Sequence, residues 1–321
     1  MNKDICNKKY EELKAPWMTF FTPTYNREKT LPRCYESLKK MELPVEADGR
    51  KVEFEWLIVD DGSQDDTFSL VSGWIEENLI PIRYYYQPNS GKHVASNVSA
   101  ELSRAEMLTG MDSDDSFLPE TLKVFWDGWH SIPEDIRPEF RGVTARCIDP
   151  ETGKMVGTPS PRQPYYVHTQ DMRFKDKVTG EMCGFNRVDV LREFPFPVFE
   201  EKTSFCPESI VWYSMGEKYK ESVIDIPVRE YFHDTDNALT GKNTRRSAAN
   251  YYLWKYEVNS LVLKYLRYAP KDMLKAIVGM SMDGFISGRS IRSILRDVKS
   301  KRCKVAVAAF IPAGWVLSKI R

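Results

Sequence analysis

Several features that often settle a protein's class are missing or scarce in this chain of 321 residues. Its six cysteines (Cys6, Cys34, Cys147, Cys183, Cys206, Cys303) fall in no CxxC spacing. That argues against a zinc site or a disulfide framework and fits reduced thiols. No run of eighteen apolar residues occurs, which argues against a membrane-spanning helix. The N-terminus, MNKDICNKKYEELKAP, is polar and mixed in charge, so no secretory leader is expected. There is no internal repeat and no low-complexity tract. Net charge is absent too, because 46 Lys+Arg balance 46 Asp+Glu.

The balance hides an asymmetry. From residue 242 onward there are 17 Lys+Arg against 4 Asp+Glu, a net of +13; the remainder carries 46−17 = 29 basic and 46−4 = 42 acidic residues, a net of −13. Such a split points to an anionic partner for the basic part, or to a solvated basic tail packed on an acidic body. A hydrophobic share of 42% with 29% charged residues is otherwise ordinary for a soluble globular chain with a sizeable core.

Short apolar runs alternate with amphipathic stretches through the first half. WMTFF (17–21), FEWLIV (54–59), IRYYY (82–86) and AEMLTGM (105–111) read as strands. Between them the spacing predicts helices over about 28–41, from about 65, over about 92–104, and from Pro119. Strand–helix alternation implies a parallel sheet flanked by helices, of nucleotide-binding type, with ligands at the carboxyl ends of its strands. Further on, RGVTARCI (141–148) and YYVHT (165–169) read as strands, and EMCGFNRVDVLREF as a strand and short helix. PESIVWYSMGEKY (207–219) reads as a helix, and SVIDIPVREYFH (222–233) as two short strands. From about 245 the pattern is helical.

Acidic clusters fall at two of the expected strand ends, VDDGSQDDT (59–67) and MDSDD (111–115). A third, looser group is Glu200, Glu201 and Glu208. Converging carboxylates need a counter-charge or they raise one another's pKa values. A hard divalent cation such as Mg²⁺ or Mn²⁺, held by one or two carboxylates and completed by a diphosphate, meets that need. Capping of the following helix would use one aspartate and leave two surplus.

FFTPTYNREKTLPRCYESL, LIVDDGSQDDT, NSGKHVASN and GMDSDD, in that order, resemble the motifs of glycosyltransferase family 2. The resemblance covers about residues 16–130, and extends more weakly through FPFPVFEEKTSFCPESIVW to the YFHDTDNALT stretch. It implies a GT-A fold, a Rossmann-like mixed α/β sheet flanked by helices, and inverting transfer from a nucleotide-diphosphate sugar. By the family pattern, Thr22, Pro23, Tyr25, Asn26 and Arg27 would line the nucleotide pocket. Asp60 and Asp61 would contact base and ribose, and Asn89, Gly91 and Lys92 the base or diphosphate. Asp114 would ligate the metal, Asp112 or Ser113 would reach the ribose or sugar, with Asp112 a second metal ligand, and Asp115 would help bind the donor sugar or cap the next helix. His233 stands where related enzymes place a metal or diphosphate ligand, and Lys242, Arg245 and Arg246 could close over the diphosphate. Inversion needs one carboxylate to deprotonate the acceptor hydroxyl. The matching position is CPES, so Glu208 is the expected general base, with Glu200 and Glu201 as fallbacks.

The tail SIRSILRDVKSKRCKVAVAAFIPAGWVLSKIR joins a basic amphipathic helix to a short apolar run. It suits an interfacial segment drawn to anionic lipid, or a helix docked on the body. The expected organisation is therefore a catalytic domain over 1–240 and a basic helical extension over 241–321, cytoplasmic and peripheral on the inner face of the membrane. Single-sugar addition from a UDP-sugar to a glycan or lipid-linked acceptor is expected, since the membrane spans and Q-x-x-R-W motif of the family's processive synthases do not appear. A nucleotidyltransferase would show a Gly-rich basic loop where TPTYNRE stands. A noncatalytic scaffold would not need intact acidic motifs. No nucleic-acid partner is expected.

Overall fold

The computed structural model describes residues 3–199, 205–232 and 245–320. The chain forms two compact units. One takes Met1–Thr169, Val178–Pro195 and Met215–Asn237, and the other takes Gln170–Lys177, Phe196–Ser214 and Ala238–Arg321.

In chain order the first half gives β1 (Asp4–Cys6), α1 (Lys8–Glu12), β2 (Met18–Thr24), α2 (Leu31–Lys39), β3 (Phe54–Asp60), α3 (Thr67–Glu77), β4 (Ile82–Tyr86), α4 (Lys92–Leu102) and β5 (Met107–Gly110). Then come β6 (Ser116–Phe117), α5 (Thr121–His130), β7 (Phe140–Ile148), β8 (Tyr165–Val167), α6 (Thr169–Phe174), β9 (Met182–Arg187), α7 (Val188–Glu193), α8 (Ser209–Lys218) and β10 (Lys220–Glu230). The strands form one sheet in the order β1-β4-β3-β2-β5-β9-β7-β10-β6, with β8 beside β10.

The four strands read from the first half, β4-β3-β2-β5, are mutually parallel. β3 is buried at every position, as expected of a strand covered by helices on both faces. Its Trp56 closes a stack with Tyr35 of α2 and Trp74 of α3, the latter two rings 4.4 Å apart. Beyond β5 the sheet turns mixed: β9 runs antiparallel to β5 and β7, and β10 parallel to β7. The expected pair of short strands near 222–233 is instead the single strand β10, whose pairing with β7 shifts register on both sides of Pro227. Proline lacks the N–H that a regular ladder needs, so an irregularity there lets the strand continue.

Register aligns the functional edge. Thr24 pairs with Asp60 and Asp60 with Tyr86, so the ends of β2, β3 and β4 stand in one row. Met111 then donates its N–H to the Phe21 carbonyl at 2.8 Å, bringing the chain after β5 to the same edge.

The second unit contains α9 (Arg245–Ser260), α10 (Val262–Tyr265), α11 (Pro270–Ile286), α12 (Ile291–Arg296) and α13 (Lys301–Ile320). α11 is its spine, with Met273, Ala276, Ile277 and Met280 buried among Tyr251 and Val258 of α9 and Val307 of α13. Two glycines allow the close approach. A Cβ at Gly279 would lie 2.8 Å from the Trp254 ring, and one at Gly314 would lie 2.4 Å from Ser281 Cβ.

Candidate functional site

Four loops leave the aligned strand ends, and hydrogen bonds tie each to the next. After β2, Asn26 adopts φ 54°, a left-handed conformation that asparagine tolerates better than most residues. From that position its N–H donates to Ser63 Oγ at 2.9 Å, and its Oδ1 accepts from the Gln64 N–H at 2.8 Å. TPTYN is thereby fastened to DDGS. Arg27 continues the bracing, with Nε donating to Ser113 Oγ in MDSDD at 3.2 Å. Tyr25 remains 45% exposed. Thr22 faces the other way, its Oγ1 accepting from Trp56 Nε1 at 3.0 Å in the core.

Asp60 and Asp61 are both buried, and their carboxylates organise the loops from within. Asp60 accepts from the Ser63 N–H at 2.7 Å and the Tyr84 hydroxyl at 2.6 Å. Asp61 accepts from Gln87 Nε2 at 2.7 Å and from the Ser90 and Gly91 N–H groups at 2.8 Å each. Burial pushes the Asp61 carboxyl up, while these three donors pull it down. Asn89 donates its Nδ2 to the Asp61 carbonyl at 2.9 Å. Gly62, at φ +91°, lies so close beneath that a Cβ would meet Asn89 N at 2.9 Å. Only glycine fits that place without strain.

Gly91, at φ +97°, opens α4 and sends Lys92 across the edge. Lys92 Nζ lies 2.7 Å from Asp112 Oδ1, and its charge holds that carboxyl below the usual range. Asp112 itself is only partly covered, its side chain 42% exposed. Burial pushes the imidazole of the next residue, His93, down.

MDSDD is a turn held from below. Asp115 donates its N–H to the Asp112 carbonyl at 3.1 Å. Cys34 of α2, wholly buried, directs its thiol at the carbonyls of Asp112 (3.4 Å) and Asp115 (3.3 Å), and Arg33 Nη1 donates to the Asp114 carbonyl at 2.6 Å. The Asp115 side chain points inward to Arg229 of β10, with Oδ2 3.3 Å from Nη1. Burial pushes that carboxyl up to about 7, the nearby arginine countering and Asp112 and Asp114 adding to the shift. Arg229 also holds Glu181 at 2.8 Å. The Asp114 carboxylate, partly exposed, makes no hydrogen bond or ion pair among the described residues.

The three aspartates therefore divide. Asp115 is a buried strut, Asp112 is paired with a lysine, and Asp114 is an open oxygen donor. Arg33, Cys34 and Arg229 were not singled out from sequence. The cysteine and arginine lie 81 and 114 positions from Asp115 along the chain, and only the fold joins them. Among the described residues no group of three or more His, Cys, Asp or Glu is placed to hold a metal ion alone. One free carboxylate with a second beside it does fit Mg²⁺ or Mn²⁺, which complete their shell from water and phosphate oxygens.

Glu208 belongs to the second unit and stands just before α8, its carbonyl accepting the N–H groups of Val211 (2.9 Å) and Trp212 (3.1 Å). Glu200, Glu201, His233 and Lys242 lie outside the described residues, and Arg245 and Arg246 open α9.

A family model described as Glycosyl transferase family 2 matches residues 19–188. The chain is 32% identical over 129 residues to poly(ribitol-phosphate) beta-N-acetylglucosaminyltransferase TarS of Staphylococcus aureus, an alignment covering 39% of this chain and 21% of that one. It is 30% identical over 138 residues to chondroitin synthase of Escherichia coli, covering 43% and 18%. The alignments thus span only about a fifth of these relatives' length. In three dimensions the chain is similar to the crystal structure of S. aureus TarS 1-349 in complex with UDP-GlcNAc, with a TM-score of 0.58 at 15% identity over 94% of this chain and 90% of that one. That likeness establishes the fold, GT-A.

Proposed function

This chain belongs to glycosyl transferase family 2, and on that premise we propose that it transfers a single sugar from a nucleotide-diphosphate sugar, with inversion at the anomeric carbon. One observation carries the reading: four loops at the parallel strand ends are cross-braced around an open Asp114 carboxylate, with Lys92 and Asp112 beside it. The proposed donor is a UDP-sugar, by analogy with the UDP-GlcNAc complex of the S. aureus relative. The proposed acceptor is a hydroxyl of a glycan or lipid-linked glycan, and the C-terminal segment attaches the protein peripherally to the inner membrane face.

Asp114, with Asp112, would hold a divalent cation, which when bound supplies charge neutralisation for the leaving diphosphate. Lys92 adds a point charge at the same edge, and Tyr25 offers an aromatic face to the base. Glu208 is the proposed general base, on its match to the family pattern, taking the acceptor proton as the oxygen attacks opposite the leaving group.

A melting-temperature screen of nucleotide sugars with and without manganese tests the donor, because a ligand bound only by the folded state stabilises it by about 2.7 kcal/mol at a hundred times its Kd. One UDP-sugar is expected to raise the melting temperature and be slowly hydrolysed to UDP. If no nucleotide sugar is bound or hydrolysed, the chain is not this enzyme. Glu208→Gln is expected to keep the melting shift and to lose about 100-fold or more in transfer; near-normal transfer would remove Glu208 from the base role.

A further inference from the structure

The terminal helix presents a surface that the rest of its unit does not cover. α13 packs on α11 along a narrow seam of Cys303, Val307 and Gly314. Outside that seam stand Val305 (71% exposed), Phe310, Trp315, Val316, Leu317 and Ile320 (77% exposed). Between Lys304 and Lys319 the helix carries no charged residue. An apolar circumference of this kind is normally buried by something.

Its ends are cationic. From residue 287 on there are nine Lys+Arg against the single acid Asp297. Arg292, Arg296 and Lys299 precede α13, and Lys301, Arg302 and Lys304 occupy its first turn, all exposed. Lys319 lies beyond Trp315, with Nζ 5.8 Å from the ring centroid. α13 contains no aspartate or glutamate. The α13 of a second copy laid on this helix, in either direction, would therefore set cation against cation with no acid to pair. An anionic bilayer supplies both the apolar phase and the counter-charge.

By length and composition the helix reaches what a membrane span needs, and most of it is not buried. Geometry favours the surface instead. The uncharged stretch from 305 to 318 rises about 21 Å at 1.5 Å per residue, short of a hydrocarbon core of about 30 Å. One face is also committed to α11. We propose that α13 is an in-plane anchor that lies at the headgroup boundary of an anionic phospholipid bilayer. Val305, Trp315, Val316 and Ile320 enter the acyl region, and Lys301, Arg302, Lys304 and Lys319 snorkel to the phosphates. This deepens the peripheral attachment proposed above. It stands apart from the donor chemistry, which the melting shift with UDP-sugar reads separately.

The test is co-sedimentation of the full chain with phosphatidylcholine vesicles containing about one-third phosphatidylglycerol, and with phosphatidylcholine alone. Binding is expected to the anionic vesicles only and to weaken as salt rises. Neutralising Lys301, Arg302 and Lys304 to glutamine should cost roughly fivefold in partition per residue, the equivalent of about 1 kcal/mol each. Trp315→Glu paired with Val316→Glu should abolish binding while leaving the melting temperature unchanged, since both side chains are exposed. Three results would overturn the proposal: no binding by the full chain, undiminished binding by the double variant, or a lipid-free dimer that the double variant dissolves. A chain that binds vesicles but shows no donor shift would leave the anchor standing and sink the transferase reading alone.

Discussion

Asp114 and Glu257 show how differently two carboxylates of one chain can be used. Asp114 is partly exposed and its oxygens are uncommitted among the described residues, so its replacement would remove the proposed ligand without opening a hole. Asp114→Ala is expected to fold normally and to lose the manganese-dependent part of donor binding, at least about 100-fold or about 2.7 kcal/mol. Calorimetric titration of donor with and without manganese checks this, and unchanged manganese dependence would remove Asp114 as the metal ligand. Glu257 of α9 is buried, and burial, with Asp272 adding and Lys275 and Arg173 opposing, pushes its carboxyl up to about 7. The buried Tyr213 hydroxyl faces the same charge. Because the folded state holds this proton above pH 4.5 and the unfolded chain does not, Glu257 subtracts stability as pH rises toward 7. Glu257→Gln is therefore expected to be more stable than the parent above pH 7, by about 2–3 kcal/mol, and to lose that advantage below about pH 4.5. Denaturant unfolding at pH 5 and pH 8 decides it, and a pH-independent difference would contradict it.

At the scale of elements, the strands that were readable are those dense in aliphatic and aromatic residues. FEWLIV and IRYYY announce themselves by composition, whatever they pair with. β1 was not readable, because DIC is a three-residue edge strand too short to carry a pattern, and the ion pair of its Asp4 with Arg83 of β4, at 2.8 Å, shows only in the fold. β6 is two residues long and exists through its partnership with β10. The acidic loops were legible as positions but not as orientations. VDDGS was visible, yet that both its carboxylates turn inward depends on Tyr84, Gln87 and the Gly91 amide, which are distant from either aspartate in sequence. MDSDD was visible too, whereas its inward strut to Arg229 needed the whole sheet. Helix packing offers a direct test at this scale. Gly314→Ala places a methyl against Ser281 and the Met282 amide, so α13 must shift off α11. Overpacking of this kind costs about 1–3 kcal/mol. Faster amide exchange in α13 is expected, with α2 to α4 unaffected; unchanged exchange would mean the seam has slack.

Across the whole molecule, charge and chemistry are apportioned along the chain. The acidic part through residue 241 holds the four strand-end loops proposed to bind the donor, and the basic part holds α9 to α13 of the second unit. Donor binding should accordingly leave a local signature. With UDP-sugar and manganese, amide protection is expected to rise in the loops around 24–28, 61–66, 87–92 and 111–115, and to stay level between 245 and 320. Hydrogen exchange by mass spectrometry reads both regions in one experiment, and protection confined to 245–320 would place the ligand elsewhere.

The contact between Lys92 and Asp112 has a consequence for selectivity. A bare anion that draws Lys92 away leaves a stripped carboxylate behind, and a bare cation that captures Asp112 must evict a lysine. Each alone meets a toll that the other would lift. A ligand arriving as cation and diphosphate together exchanges one pair for two and satisfies both ends at once. On the donor reading proposed above, the edge would work as a coincidence gate, favouring a joined cation and diphosphate over either alone.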